Sequence, residues 1–130
     1  MITPESFVDG SERGEQVALF AWAGLNQHLY PQLKWLYAIP NANSHRMVAE
    51  GVRAGVSDVF LPWPNIAVGN HGASGLYIEM KTEKRRNQKN GGLSQDQIDF
   101  IDYATKAGYK CHVCYSWIEA KKAIEEYLNG

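Results

Sequence analysis

GVSDVFLP at residues 55–62 and GLYIEMK at residues 75–81 decide how this chain folds. Both read as strands, and the PWPNIAVGNHGAS between them, with its two prolines, two glycines and two asparagines, reads as a long connection holding a short edge strand at IAV, residues 66–68. Side chains alternate along a strand, so Leu76, Ile78 and Met80 point one way while Tyr77, Glu79 and Lys81 point the other. Pairing the two strands brings Asp58 near Glu79 and Lys81.

A carboxylate and an ammonium two residues apart on so apolar a strand lie beside the core, where unpaired charge is costly. A divalent metal resolves that cost. Asp58 and Glu79 supply the hard oxygen ligands that Mg²⁺ prefers, and Lys81 can stabilise charge on a phosphate or polarise an attacking water. Glu-x-Lys alone is a common tripeptide, so its meaning depends on what surrounds it.

The chain has 130 residues, suited to one domain: a flexible lead-in over 1–10 and a single unit over 11–130. A hydrophobic fraction of 45% with four Trp, seven Tyr and four Phe argues for a globular fold rather than disorder. The net charge of −1 does not by itself favour nucleic acid, so the distribution of basic residues carries that question. No apolar run approaches the roughly 18–20 residues of a membrane-spanning helix, and the amino terminus lacks a secretion signal, which predicts no membrane partner and a cytoplasmic location. Cys111 and Cys114 have C-x-x-C spacing, but YKCHVCY reads as a strand, which puts the sulfurs on opposite faces. They are expected to be buried, reduced thiols.

From Ser11 the chain predicts a helix capped by Ser11, with Glu12 and Glu15 at its positive end and on one face with Leu19 and Trp22. KWLYAIP, residues 34–40, then reads as a short buried strand. NANSHRMVAEGVRAG follows as a polar turn and a short helix or irregular segment, with Asn41, Asn43, His45 and Arg46 just beyond the strand end, where ligand-facing loops of α/β folds commonly lie. After GLYIEMK, the run TEKRRNQKNGG carries Lys84, Arg85, Arg86 and Lys89 against Glu83, placed to hold phosphates. Ser94 caps a helix with Gln97 near its start, a stripe of Ile98, Ile101 and Tyr103 or Ala104, and a stop at Gly108. YKCHVCYS is the next strand. SWIEAKKAIEEYLNG closes the chain as an amphipathic helix, with Trp117 or Ile118, Ala120 or Lys121, Ile124 and Leu128 at helical spacing. Two crossovers through helices imply some parallel pairing, and the loop between GVSDVFLP and GLYIEMK suits an antiparallel pair. An α/β fold with a mixed central sheet flanked by helices is expected.

This ordered set (a first helix with Glu, G-V-S-D at 55–58, E-M-K at 79–81, L-S-x-x-Q at 93–97, then G-Y-K-C-H-V) resembles the VRR-NUC group of the PD-(D/E)XK nuclease superfamily, in its small stand-alone phage and bacterial form. The resemblance runs from about Ser11 to Leu128. It implies a restriction-endonuclease-like αβββαβ core and metal-dependent hydrolysis of DNA phosphodiester bonds. Asp58, Glu79 and the Met80 carbonyl would hold Mg²⁺ or Mn²⁺, Lys81 would be the catalytic lysine, and Gln97 matches a glutamine close to the site. The first-helix acid is Glu15 or Glu12, with Glu15 preferred. Ser57 stands where the superfamily name has Pro. His45, Arg53, Lys84, Arg85, Arg86 and Lys89 become candidates for phosphate contacts that position DNA without reading its sequence. The resemblance further implies a branched substrate such as a Holliday junction or flap, a C2 homodimer joined through the Trp63 loop or the first helix, and a bacterial or phage-infected cytoplasm. Two other readings compete: a DNA-binding module that keeps the fold without the chemistry, and an interaction domain in which Lys81 merely guards a strand edge.

Overall fold

The computed structural model describes residues 2–66 and 72–130. Its helices are α1 (Glu12–Leu25), α2 (His45–Ala49), α3 (Gln95–Lys106) and α4 (Trp117–Asn129). Its strands are β1 (Tyr37–Ala38), β2 (Val59–Leu61), β3 (Leu76–Met80) and β4 (Lys110–Cys114). The strands form one sheet in the order β1-β2-β3-β4, antiparallel from β1 to β3 and parallel between β3 and β4. This is a mixed α/β fold with a four-stranded mixed sheet flanked by helices.

Each helix begins where a serine can satisfy its orphan amides: Ser11, Ser44, Ser94 and Ser116 accept from the backbone N–H groups of Gly14, Met47, Gln97 and Glu119. Helices α1 and α4 bury Leu19, Trp22, Ala120 and Ile124 against Leu76, Ile78 and Met80 of β3. Several of these side chains are wholly buried, each contributing about 1.5–3 kcal/mol of hydrophobic stabilisation. On the opposite face, Tyr77 meets Phe60, Tyr109 and Phe100 edge-on or tilted, with ring centroids 4.4–5.4 Å apart, and α3 covers it through Phe100. The alternation expected for GLYIEMK is therefore the alternation between two differently filled layers.

The parallel pairing expected from helical crossovers is made by β3-α3-β4, while the β1-α2-β2 connection returns antiparallel. KWLYAIP is not a buried strand. Residues Pro31–Trp35 form a 3₁₀ turn, which places Leu33 and Leu36, three apart, on one buried side. Trp35 and Tyr37 are left 65% and 50% exposed, and the strand is two residues long. Pro4–Phe7, expected within a loose lead-in, form a 3₁₀ turn against α1, and Gly14 gives them room because a Cβ there would meet Asp9 and the Phe7 carbonyl. The edge strand expected at IAV lies mostly outside the described residues; Ile66 itself is exposed. Within TEKRRNQKNGG, Glu83–Arg85 and Lys89–Gly92 form 3₁₀ turns. In α3 the buried choice is Ala104 and Tyr103 faces out; in α4 Trp117 and Ala120 are buried and Ile118 faces out.

Candidate active site

The register Val59↔Ile78, continued one step, sets Asp58 opposite Glu79. Asp58 holds this place with both ends. Its carbonyl accepts from the Ile39 amide at 2.8 Å, and its Oδ2 accepts from the Met80 amide at 2.7 Å, standing in for the backbone acceptor that β2 would have supplied. Along an extended strand a residue's N–H and C=O point the same way, so the Met80 carbonyl faces the Asp58 side as well.

Glu79 is 2% exposed. Its Oε2 accepts from Gln97 Nε2 at 3.2 Å, and its Oε1 is buried with no partner. Gln97 has little freedom to turn away, because its Oε1 is held by the Ser94 amide at 2.9 Å in the capping box that starts α3. Burial first, then the adjoining Asp58 carboxyl and its charge, push the Glu79 carboxyl up to about 9, while Lys81 pulls the other way. Two carboxyls thus face each other in a place where they cannot easily both be ionised without a cation.

Lys81 is 5% exposed; its amide continues the β3–β4 ladder by donating to the Cys114 carbonyl at 2.8 Å. Its Nζ lies 3.7 Å from Glu12 Oε1. The two first-helix acids therefore part company. Glu12 faces the lysine, whereas Glu15, the acid preferred on sequence, turns its Oε1 to the Trp117 amide at 2.8 Å and satisfies the first orphan N–H of α4.

Gly55 opens the segment that leads into Asp58. It adopts φ +87°, and a Cβ there would come within 2.3 Å of the Asp96 carbonyl oxygen. The loop entering Asp58 is thus seated directly on the first turn of α3, one residue from Gln97. A glycine three residues before a candidate ligand was the available signal.

The basic residues divide. Arg86 pairs with Glu83 at 2.7 Å and with Glu119, and lies over the Tyr115 ring at 4.5 Å; Arg85 donates to the Gly92 carbonyl at 3.1 Å. Arg86 ties the loop to α4, and Arg85 closes the loop on itself. Lys84 and Lys89 are exposed on the same loop. His45 is exposed at the start of α2, and Arg53, also exposed, donates to the Val48 carbonyl at 2.9 Å. The cysteines are free; burial pushes both thiols up, Cys114 to about 12.

Among the described residues no three His, Cys, Asp or Glu side chains gather to hold a metal. The donor set is instead two carboxylates with an adjacent carbonyl, and one carboxylate oxygen is buried without a partner. That set fits a hard divalent cation which keeps several waters, as Mg²⁺ does.

The VRR-NUC domain family matches residues 11–117, which include every residue of this constellation. The chain belongs to the VRR-NUC family. A solved structure described as a VRR_NUC domain protein shares the fold, with a TM-score of 0.68 and 22% identity, covering 92% of this chain and 88% of the other. No curated protein matches. Membership of the VRR-NUC family gives the chain a nuclease-type, DNA-binding fold. No helix among the described residues is long and apolar enough to cross a membrane.

Proposed function

We propose that this chain is a metal-dependent endonuclease of the PD-(D/E)XK type, hydrolysing phosphodiester bonds in DNA with Mg²⁺ or Mn²⁺ held by Asp58, Glu79 and the Met80 carbonyl. The observation that carries the reading is the half-buried Asp58 set against a buried Glu79, with its unpartnered Glu79 oxygen, beside a buried lysine. Such an arrangement destabilises a fold and is retained where it does chemistry.

The ion, when bound, supplies positive charge against that accumulating on the phosphate and acidifies water. The chain's own groups do the rest. Lys81 presents a fixed cation to the scissile phosphate or the attacking water, held in place by burial and by Glu12. Gln97 keeps Glu79 turned to one side, so its free oxygen faces the site. Glu12, rather than Glu15, serves the site as the first-helix acid. Lys84, Lys89, His45 and Arg53 contact flanking phosphates, while Arg85 and Arg86 shape the loop.

The substrate is branched DNA, such as a flap or four-way junction, and two copies act together in a bacterial or phage-infected cytoplasm. The exposed Val17 and Leu25 of α1 offer apolar area for that pairing. Solution mass at working concentration tests it, and a monomer throughout would remove it.

Duplex, flap, fork and four-way junction DNA incubated in Mg²⁺, Mn²⁺ or EDTA test the whole reading. Cleavage that needs the metal and favours branched DNA is expected. DNA binding with no metal-dependent cleavage of any substrate would instead identify a non-catalytic module.

A further inference from the structure

Beside the edge strand β1 lies an open apolar groove of about 610 Å³, lined by Pro31, Gln32, Trp35, Tyr37, Pro62 and Trp63. Trp35, Tyr37 and Trp63 are 65%, 50% and 45% exposed. Single exposed aromatics are ordinary, but three around one groove are not explained by packing.

Three further observations describe what would fill it. Lys34 Nζ lies 5.4 Å from the centroid of the Trp35 ring, so a cation accompanies the aromatic surface. The lining residues lie within stretches of sequence, 16–49 and 59–66, that contain no Asp or Glu, although the chain has 14. The acid that reaches this region is Glu125 of α4, 3.5 Å from the Tyr30 hydroxyl. Gln32 has its Oε1 buried away from the open groove, which leaves the groove surface to the aromatic rings. Flat aromatic faces, a neighbouring cation and little opposing negative charge together suit a nucleobase on a phosphate chain.

The groove also has a defined relation to the candidate site. Tyr37 pairs with Phe60, two residues along β2 from Asp58, and Trp63 lies three residues further on. At strand spacing Phe60 is about 7 Å from Asp58, and Trp63, beyond the end of β2 where the chain turns, is at most about 17 Å away. That distance is covered by a few nucleotides of single strand.

We infer that this groove binds unstacked bases of single-stranded DNA, so that the enzyme engages the single-stranded arm of a flap or fork while the Asp58–Glu79 site addresses the phosphate near the branch. This rests on the nuclease reading for its placement, but binding at the groove can be measured without cleavage. Base–aromatic stacking tolerates any sequence, which agrees with a protein that positions DNA by its backbone.

The experiment titrates wild type, Trp35→Ala and Trp35→Phe with a short oligothymidylate and with blunt duplex, in EDTA. Tryptophan fluorescence and anisotropy of labelled DNA are recorded, and circular dichroism and solution mass are followed alongside. Wild type is expected to bind the single strand with quenching, Trp35→Ala about tenfold more weakly, and Trp35→Phe close to wild type, with duplex affinity unchanged in all three. Equal single-strand affinity in wild type and Trp35→Ala would overturn the inference. So would a loss of affinity that simply tracks dissociation of a dimer, because the groove would then be filled by a second copy. Cleavage of flaps by a wild type that shows no groove-dependent binding would sink this inference and leave the nuclease reading standing. Groove-dependent binding by a protein that cleaves nothing would do the reverse.

Discussion

Leu76, Ile78 and Met80 share β3 with Tyr77 and Glu79, and Lys81 follows directly; all but Tyr77 are buried, yet the two faces of the strand obey different rules. On the first face every side chain is apolar and closed over by α1 and α4. On the second, a carboxyl shifted far from its usual range lies opposite another and near a buried ammonium, with one oxygen unpartnered. The first face stabilises the fold. The second draws on that stability, and the strand's two-residue period keeps the two from mixing.

The comparison breaks most visibly if the charged face can be emptied without loss. Lys81→Ala should lower the cleavage rate by about 10³-fold while leaving the circular dichroism spectrum intact, since one preorganised electrostatic group is commonly worth that much. A wild-type rate in this variant would mean the second face has no chemistry. Next in size, Ile78→Ala on the first face should cost about 2–5 kcal/mol and show as a fall in Tm, with cleavage per folded molecule retained.

Smaller and of opposite sign, Glu79→Gln should stabilise the metal-free protein by about 1–3 kcal/mol in EDTA, by removing a buried carboxyl that resists ionisation. Its pH dependence follows from the raised native value. Below the ordinary value of 4.5 the group is protonated folded or unfolded and contributes nothing. Between there and about 9 the native state holds the proton that the unfolded chain has released, so wild-type stability falls as pH rises and the gain from Gln grows. Parallel Tm-against-pH curves for the two proteins would contradict this. Smallest in stability, Glu12→Gln should shift Tm by no more than about 0.5 kcal/mol's worth, because the acid is nearly half exposed, yet slow cleavage. Glu15→Gln should do the converse, weakening the hold on the Trp117 amide at about 1–2 kcal/mol. If the two variants exchanged these behaviours, the roles of the acids would be exchanged too.

The sharp division on β3 was legible in GLYIEMK because it depends only on alternation within one strand, and Ser94 with Gln97 was legible because a capping box is local. What sequence could not resolve were choices settled by distant partners. Glu12 and Glu15 lie three apart on one helical face, and only the position of Trp117 separates them. Arg85 and Arg86 look like phosphate ligands in a basic run until Glu119, Tyr115 and Gly92 are brought to them. KWLYAIP misled for a different reason: its apolar residues fit a strand's composition, but Leu33 and Leu36 follow the three-residue period of a 3₁₀ turn. Gly55 shows its purpose only once Asp96 lies against it.

The bond from Glu15 to the Trp117 amide joins residues 102 positions apart. Glu12 sits one turn away on the same helix, so the helix that carries the acid beside Lys81 is docked by a group that a ribosome delivers 102 residues after Glu15. A nascent chain lacking α4 would thus carry Asp58, Glu79 and Lys81 without a complete site around them. Cleavage by chains stalled before and after α4 would reveal whether synthesis itself keeps the site silent until that helix has docked.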